Sequence, residues 1–202
     1  MFRRKLFAVT AGLSGLAIAI TGITLTPVTA TAVDPCAISV TKGGLVPTYG
    51  ANGDVEVSNY SIYCVAKFRS VANDYRFTVP AGITKLDYLV VGGGGGGASG
   101  GGGAGGVLMA NDYSVTPGQA ISVSVGRGGD GGTGGNGTSS LATKGADSSF
   151  AAITALGGGA GGANGVSGTI FNGASGGGSR FDCTNANCGQ GIAGTSVAGQ
   201  GN

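Results

Sequence analysis

The chain has 202 residues, of which 46 are glycine, four are cysteine and none is histidine or tryptophan, and only 10% are charged. Without histidine, this chain alone cannot form a Ser-His-Asp triad, a Cys-His dyad or a histidine-ligated metal site. The composition therefore excludes several common catalytic constellations, and we expect no enzymatic activity, no cofactor-binding residue and no metal site.

Residues 1–32 have the pattern of a secretory signal peptide. A basic segment, Arg3-Arg4-Lys5, precedes an apolar stretch over about residues 6–25, and the cleavage motif Ala30-Thr31-Ala32 follows. The alternative is an uncleaved membrane anchor, because the stretch has about the ~20 residues that a span needs. Cleavage would leave 170 residues with eight basic and nine acidic side chains, a net charge of −1 and no basic run. We therefore expect a secreted or cell-surface protein that does not bind nucleic acid.

Four cysteines in an exported chain indicate disulfides. Three sets of pairs are possible, and we favour Cys36–Cys64 with Cys183–Cys188, because each pair lies within one region of uniform composition. Loop-closure entropy gives about 3.5 kcal/mol for the first pair and about 2 kcal/mol for the second. A zinc site made of all four cysteines is the rival interpretation, but spacings of 28, 119 and 5 residues do not form two short knuckles.

Residues 33–91 predict a small β region with a modest core, since seven of these 59 residues are aromatic. We expect a bulge near Asn59, where one alternation of apolar and polar residues passes into the next. Turns are expected at Ala51–Asp54 and at Pro80–Gly82. The predicted strands, in chain order, are Val55–Ser58, Ile62–Phe68, Arg76–Val79 and Lys85–Val91.

Residues 92–202 form a low-complexity region with 38 glycines in 111 residues. Two apolar islands interrupt it, Val107–Val125, which contains a strand at Ile121–Val125, and Ser148–Ile153. Ordering so many glycines costs roughly 20–40 kcal/mol more than ordering alanines. The tracts therefore either stay disordered, or their backbone N–H and C=O groups pair between neighbouring extended segments.

The spacing of the other residues in the glycine tracts favours pairing. Residues that are not glycine recur every three positions, at Arg127, Asp130, Thr133 and Asn136 and again at Ala160, Ala163, Val166 and Thr169. Three residues per turn is the repeat of an extended polyproline-II-type helix. A collagen helix is excluded because no proline lies within a glycine tract. We predict an all-β protein in which a small β framework is followed by a glycine-rich domain of polyglycine helices.

A strand that runs into polyglycine, with a T-P-G-Q turn further on, is the most specific pattern in the chain. The segments that carry it are Phe77–Thr84, Leu86–Val91 running into Gly92–Gly97, Val115–Gln119, Val123–Gly126 and Ser148–Phe150. Over roughly residues 68–165 the chain resembles the glycine-rich domain of exported bacterial surface proteins and of some phage tail-fibre adhesins.

This resemblance implies a β framework that supports a bundle of polyglycine helices. In the adhesins the bundle presents receptor-binding loops, and a similar module takes part in ligand binding in the ectodomain of receptors related to anaplastic lymphoma kinase. The closing glycine block and hydrophobic strand usual in such domains are not found before Asn202. An incomplete fold is therefore one expectation.

Two motifs suggest chemistry that we do not favour. Gly92-x-Gly94-x-x-Gly97, with Asp112 some 20 residues later, matches a dinucleotide fingerprint, but more glycine follows where that motif needs a helix. Asp54 and Glu56 lie on one face of a strand like a pair of catalytic carboxylates. We interpret them as solvent contacts on an outer strand face.

Two polar stretches near residues 131–140 are also interpreted as solvated loops. Gly131–Asn136 approaches a calcium-binding repeat, but it occurs once and has asparagine in place of the aspartate ligand. Thr133, Asn136 and Thr138–Ser140 form a polar run of a kind that can bind sugars.

We expect a secreted or cell-surface structural protein of adhesion type, without catalytic activity, whose partners are surface glycans or protein ligands. It would meet a membrane only through an uncleaved signal segment. The alternative is a carbohydrate- or ligand-binding module that uses tyrosine, asparagine and threonine on loops. An exposed aromatic platform would favour this alternative, whereas burial of Tyr60, Tyr63 and Tyr88 would count against it. Ice binding ranks lower, because Thr133 and Thr169 are too few for a regular array.

Overall fold

The computed structural model describes residues 36–60, 63–132, 141–162, 169–179, 181–182, 189–190 and 193–200. The described residues contain strands and one short 3-10 turn, and no helix among them is long and apolar enough to cross a membrane. The fold is all-β, as the alternating sequence predicted. The strands are β1 (Ser39–Lys42), β2 (Val55–Asn59), β3 (Cys64–Phe68), β4 (Ala72–Thr78), β5 (Lys85–Val91), β6 (Val107–Ser114), β7 (Ala120–Val125), β8 (Ser148–Phe150), β9 (Ile153–Ala155), β10 (Phe181–Asp182) and β11 (Gly189–Gln190).

A five-stranded antiparallel sheet with the order β1-β4-β7-β8-β9 forms the framework, and its inner face carries the core. On β4 the side chains of Tyr75 and Phe77 are buried while that of Arg76 between them is exposed, which is the period of two expected for a half-buried strand. They pair with Val123 and Ile121 of β7. Val55 of β2 closes the same core.

Three two-stranded sheets, β2–β3, β5–β6 and β10–β11, complete the topology. The pairings β4–β7 and β5–β6 both join strands from opposite sides of residue 91. The predicted boundary between 33–91 and 92–202 is therefore a change of composition, and the two regions interleave in the fold. All described residues belong to one compact unit.

The alternation around Asn59 is a hairpin, so the expected bulge there is wrong. Asn59 pairs with Cys64, and the Tyr60 N–H donates to the Tyr63 carbonyl at 2.9 Å. Alternation has the same appearance on either side of a tight turn, so the pattern did not reveal that the chain reverses. The observed irregularities lie instead in the β4–β7 and β5–β6 pairings, the latter with Asp112 at a φ of 59°.

The glycine tracts are ordered by backbone hydrogen bonds between extended segments. Segment 92–97 contacts a different neighbour at each successive residue. The N–H groups of Gly92 and Gly95 donate to Gly106 and Gly103, those of Gly93 and Gly96 donate to Ala146 and Thr143, and the carbonyls of Gly94 and Gly97 accept from Gly129 and Gly132. Every third residue thus faces the same neighbour, which is the repeat of a polyproline-II-type helix. The predicted pairing of glycine backbones is confirmed in the described segments.

Close packing explains why this bundle needs glycine at two of every three positions. A Cβ at Gly95 would collide with the carbonyl oxygen of Gly159, and one at Gly96 with that of Asp130. At Gly94 and Gly97 the nearest atom to a new Cβ is 3.9 Å and 3.6 Å away. At these positions the close approach of neighbouring segments excludes side chains, and backbone hydrogen bonds hold the segments together.

The two predicted rows of residues spaced by three differ in their exposure to solvent. Arg127 and Asp130 are exposed, as expected for an outer edge, and they form an ion pair with each other. Ala160 is fully buried and packs in a second small core with Ala142 and Phe171. Thr169 is exposed and begins the 3-10 turn Thr169–Phe171, so it does not continue the extended repeat. The remaining predicted members, Thr133, Asn136, Ala163 and Val166, lie outside the described residues.

Candidate binding site

The β2–β3 hairpin ends in two exposed tyrosines, Tyr60 and Tyr63, which we call the tyrosine platform. Their rings stack with centroids 5.1 Å apart and planes inclined by 20°. Tyr60 is 48% exposed and Tyr63 is 56% exposed. Burying a large aromatic ring against a partner is energetically favourable. Two that remain in solvent side by side form a ready contact surface.

A disulfide between Cys36 and Cys64 holds the platform in place, with the two Cα atoms 5.6 Å apart. Cys64 directly follows Tyr63, and Cys36 is buried three residues before β1. Since β1 pairs with β4 of the framework, the covalent link ties the hairpin tip to the main sheet. This is the first of the two predicted pairs. Cys183 and Cys188 lie outside the described residues.

Glu56 fastens the middle of the hairpin by pairing with cations of β3 and the residue after it. Lys67 lies opposite Glu56 and its ammonium donates to the carboxylate at 3.1 Å, and the Arg69 guanidinium donates to the other oxygen. The Lys67 hydrogen bond, with the charges of both cations, holds the pKa of Glu56 below its ordinary value. The exposed cations limit how much this network stabilises the hairpin.

Asp54 anchors the base of the hairpin to β1. The Lys42 ammonium donates to its carboxylate at 2.7 Å, and Thr48 donates through its backbone N–H at 3.1 Å and its hydroxyl at 2.9 Å. These hydrogen bonds, chiefly that of Lys42, hold the pKa of Asp54 well below its ordinary value, and the same bond raises the pKa of Lys42. The Lys42 ammonium also lies 5.6 Å from the centroid of the buried Tyr75 ring.

The same geometry bears on the carboxylate pair that the sequence singled out. Asp54 and Glu56 each have their own cationic partner, and both pKa values are lowered. A general acid in glycoside hydrolysis needs a raised pKa. The two carboxylates form structural ion pairs and are largely covered, and Asp54 precedes β2, so the interpretation of both as solvent contacts on an outer strand face is wrong.

Tyr88, the third tyrosine of interest, is not part of the platform. It is half-buried and packs against Phe150 at 5.7 Å and Tyr113 at 5.6 Å between ring centroids. This cluster joins the β5–β6 ribbon to β8 of the framework. Of the three tyrosines, therefore, two are exposed together and one has a packing role.

The remaining motifs are placed as follows. Gly92–Gly97 is an extended segment of the bundle, followed by the further extended residues 100–106 and not by a helix. Asp112 forms an ion pair with Lys85 at 3.5 Å. The described residues contain no cluster of three acidic or cysteine side chains able to hold a metal. Residues 133–140, with the polar run and most of the calcium-like stretch, lie outside them.

Two features were missed in the sequence. The Lys42–Asp54 anchor joins residues 12 positions apart, and no local pattern marks such a pair. The outer face of β5–β6 exposes Leu89, Val91, Val107 and Met109. The alternation in Lys85–Val91 placed Leu89 and Val91 on one face, but it did not show that this face is open to solvent.

Comparison with known proteins identifies the domain. No curated protein and no solved structure matches the chain. The model of the glycine-rich domain family matches residues 70–202, about two thirds of the sequence and all of the bundle. The chain belongs to the glycine-rich domain family.

Proposed function

We propose that the chain is a secreted or cell-surface structural protein of adhesion type, without catalytic activity. The observation that carries the proposal is the exposed tyrosine platform on a disulfide-anchored hairpin. The signal-like residues 1–32 and the four cysteines support export. A contact surface held rigid before binding loses little conformational entropy when it binds.

The hydrogen-bonded glycine bundle supports the structural part of the proposal. Its extended segments are joined by backbone hydrogen bonds at every third residue, and bare glycine backbones approach each other closely. Such a bundle gives a stiff body with few reactive side chains. The lack of histidine in the whole chain agrees with a role without catalysis.

The test uses the full chain, exported by its own leader into an oxidising compartment and coupled to beads. The beads are assayed for retention on surfaces coated with glycans and with extracellular proteins. We expect retention that falls at least tenfold in the double variant Tyr60→Ala/Tyr63→Ala and is unchanged in Tyr49→Ala, an exposed tyrosine outside the platform. Retention on no surface, or equal retention by both variants, would contradict the proposal.

Carbohydrate binding is the second candidate, and the stacked exposed rings favour it. The apolar face of a pyranose ring packs on an aromatic face, and binding sites of this kind combine aromatic surface with a few polar groups. A glycan array with the purified chain tests this candidate. We expect Tyr60→Phe and Tyr63→Phe to retain most of the binding, because the ring face remains, and the alanine variants to lose it. An array without binding would leave a protein ligand as the partner of the platform.

A further inference from the structure

Four asparagines of this chain are followed directly by glycine, and two of these pairs, Asn52-Gly53 and Asn172-Gly173, lie within the described residues. Such a pair is prone to deamidation, because glycine has no Cβ to keep its backbone nitrogen away from the asparagine side chain. Since both pairs have the same local chemistry, the folded structure decides which of them reacts.

The Asn52-Gly53 pair forms the tip of the turn that leads into β2. Asn52 is exposed, and the Gly53 N–H donates only within the turn, to the Gly50 carbonyl at 3.0 Å. An exposed loop tip of this kind opens locally at little cost in free energy, without disturbing the core. Opening brings the Gly53 nitrogen within reach of the Asn52 side chain while the rest of the chain stays folded.

The Asn172-Gly173 pair is held at both residues. The Asn172 Oδ1 accepts from the Thr195 N–H at 2.9 Å, and the Gly173 N–H donates to the Thr195 carbonyl at 3.2 Å. Gly173 is buried against segment 157–159 of the bundle, where a Cβ would collide with the backbone. Reaction at this pair requires the bundle to open, so the fold protects it.

We propose that Asn52 is a site of spontaneous deamidation in the folded chain. The Gly53 backbone nitrogen loses its proton to solvent and forms a bond to the side-chain carbonyl carbon of Asn52. The bond from that carbon to the amide nitrogen breaks and releases ammonia, which takes up a proton from solvent in return. Water then opens the cyclic imide at either carbonyl. One opening leaves aspartate, and the other leaves isoaspartate, in which the main chain runs through the side-chain methylene.

The isoaspartate form alters the anchor of the hairpin, because hydrogen bonds close this turn on itself. The Asp54 N–H donates to the Thr48 hydroxyl at 3.0 Å, and the Val55 N–H donates to the Thr48 carbonyl at 3.1 Å. A Cβ at Gly53 would lie 2.6 Å from the Thr48 carbonyl oxygen, so the turn has no free space at this point. An added main-chain methylene therefore displaces Asp54, whose carboxylate bonds the Lys42 ammonium.

Both products also place a new carboxylate two residues before Asp54. A like charge nearby disfavours the ionised form of Asp54, and the new carboxylate competes for the Lys42 ammonium. The consequence for binding rests on the proposed adhesion function. A deamidated chain holds its tyrosine platform less firmly, so retention on a surface declines with the time since export.

The experiment follows the full exported chain during long incubation at neutral and at mildly alkaline pH, with peptide mass spectrometry as the readout. We expect Asn52 to deamidate at least tenfold faster than Asn172 in the folded chain, and faster at the alkaline pH because the attacking nitrogen must lose a proton. In urea, which unfolds the chain, the two rates should become similar. Asn136 and Asn164 also precede glycine but lie outside the described residues, and their peptides are read separately.

Asn52→Gln is the matched control, because glutamine keeps the amide but must close a larger and less favoured ring. After incubation, the wild-type chain should show faster amide hydrogen exchange at residues 48–55 and lower bead retention, whereas Asn52→Gln should keep both unchanged. Asn52→Asp carries the new charge without the added methylene, so its hydrogen exchange should accelerate less than that of the isoaspartate form.

Equal deamidation of Asn52 and Asn172 in the folded chain would overturn the inference, as would an Asn52 that stays intact. Unchanged hydrogen exchange in the deamidated chain would overturn the predicted effect on the anchor. Failure of fresh beads to be retained on any surface contradicts the proposed function alone, because mass and hydrogen exchange decide the modification without a binding partner.

Discussion

The Lys42 ammonium donates a 2.7 Å hydrogen bond to the Asp54 carboxylate and so joins β1 to the base of the β2–β3 hairpin. Thr48 donates twice to the same carboxylate. The hairpin that carries the tyrosine platform is therefore held at its base by this anchor, along its length by Glu56, and near its tip by the Cys36–Cys64 disulfide.

The anchor predicts a loss of stability in acid. The pKa of Asp54 is lowered in the folded chain, so its contribution is complete above the unfolded pKa of about 4 and is lost as the pH falls below it. Glu56 acts in the same direction. We expect the free energy of unfolding, measured in urea, to fall between about pH 5 and pH 2, and Asp54→Asn to flatten that decline. An unchanged slope in Asp54→Asn would show that other carboxylates govern the acid response.

The glycine bundle predicts that neighbouring glycines differ sharply in their tolerance of alanine. Gly95→Ala places a methyl group against the Gly159 carbonyl oxygen, and we expect it to destabilise by about 3 kcal/mol or more. Gly94→Ala meets nothing closer than 3.9 Å and is expected to be neutral or to stabilise by about 0.5 kcal/mol. Gly96→Ala and Gly97→Ala repeat the comparison one residue pair further on. Similar melting temperatures for Gly94→Ala and Gly95→Ala would contradict the three-residue repeat.

The Cys36–Cys64 disulfide is expected to contribute both stability and platform order. The disulfide closes a loop of 28 residues, and without it the unfolded chain has more conformational entropy. Cys36→Ser/Cys64→Ser should therefore lower the free energy of unfolding by about 2–4 kcal/mol. Amide hydrogen exchange should accelerate at residues 55–68 and change less in β4 and β7. Equal exchange in the two chains would show that the ion pairs alone fix the hairpin.

Ala151 predicts a substitution that stabilises the fold. It opens the turn between β8 and β9 with a φ of 53°, a left-handed conformation that costs a residue with a side chain about 1–2 kcal/mol. Ala151→Gly should raise the free energy of unfolding by about 0.5–1 kcal/mol after the loss of some methyl packing. Ala152→Gly is the matched control in the same turn and should lower it by up to about 1 kcal/mol. Thermal denaturation of the two variants checks the sign of each effect.

The periodicity of residue types along the chain predicted much of the secondary structure. The period of two located β5 at Lys85–Val91 without error and β7 within one residue, because alternation reports which face of a strand is buried. The three-residue recurrence of Arg127 and Asp130 indicated extended helices, and the observed hydrogen bonds repeat at that interval. The hairpin at Asn59 was missed since a reversal leaves the alternation intact.

The candidate site depended more on the tertiary structure. Tyr60, Tyr63 and Tyr88 look alike in sequence, yet the first two are exposed and stacked while Tyr88 packs against Phe150. Whether a side chain is exposed depends on which distant segment packs against it, and the residues next to it in the sequence do not reveal that segment. The same holds for the outer face of β5–β6, whose four exposed apolar residues lie on two strands separated by segment 92–106.

The sequence by itself determined the all-β class, because alternation is a local property, and it favoured ordered glycine tracts and the Cys36–Cys64 pair among alternatives that it left open. Only the tertiary structure decided that β4 pairs with β7 and β5 with β6, and hence which surfaces stay open. Strand partners are chosen by the burial of a shared core, which joins residues such as Tyr75 and Val123 that are far apart in the chain.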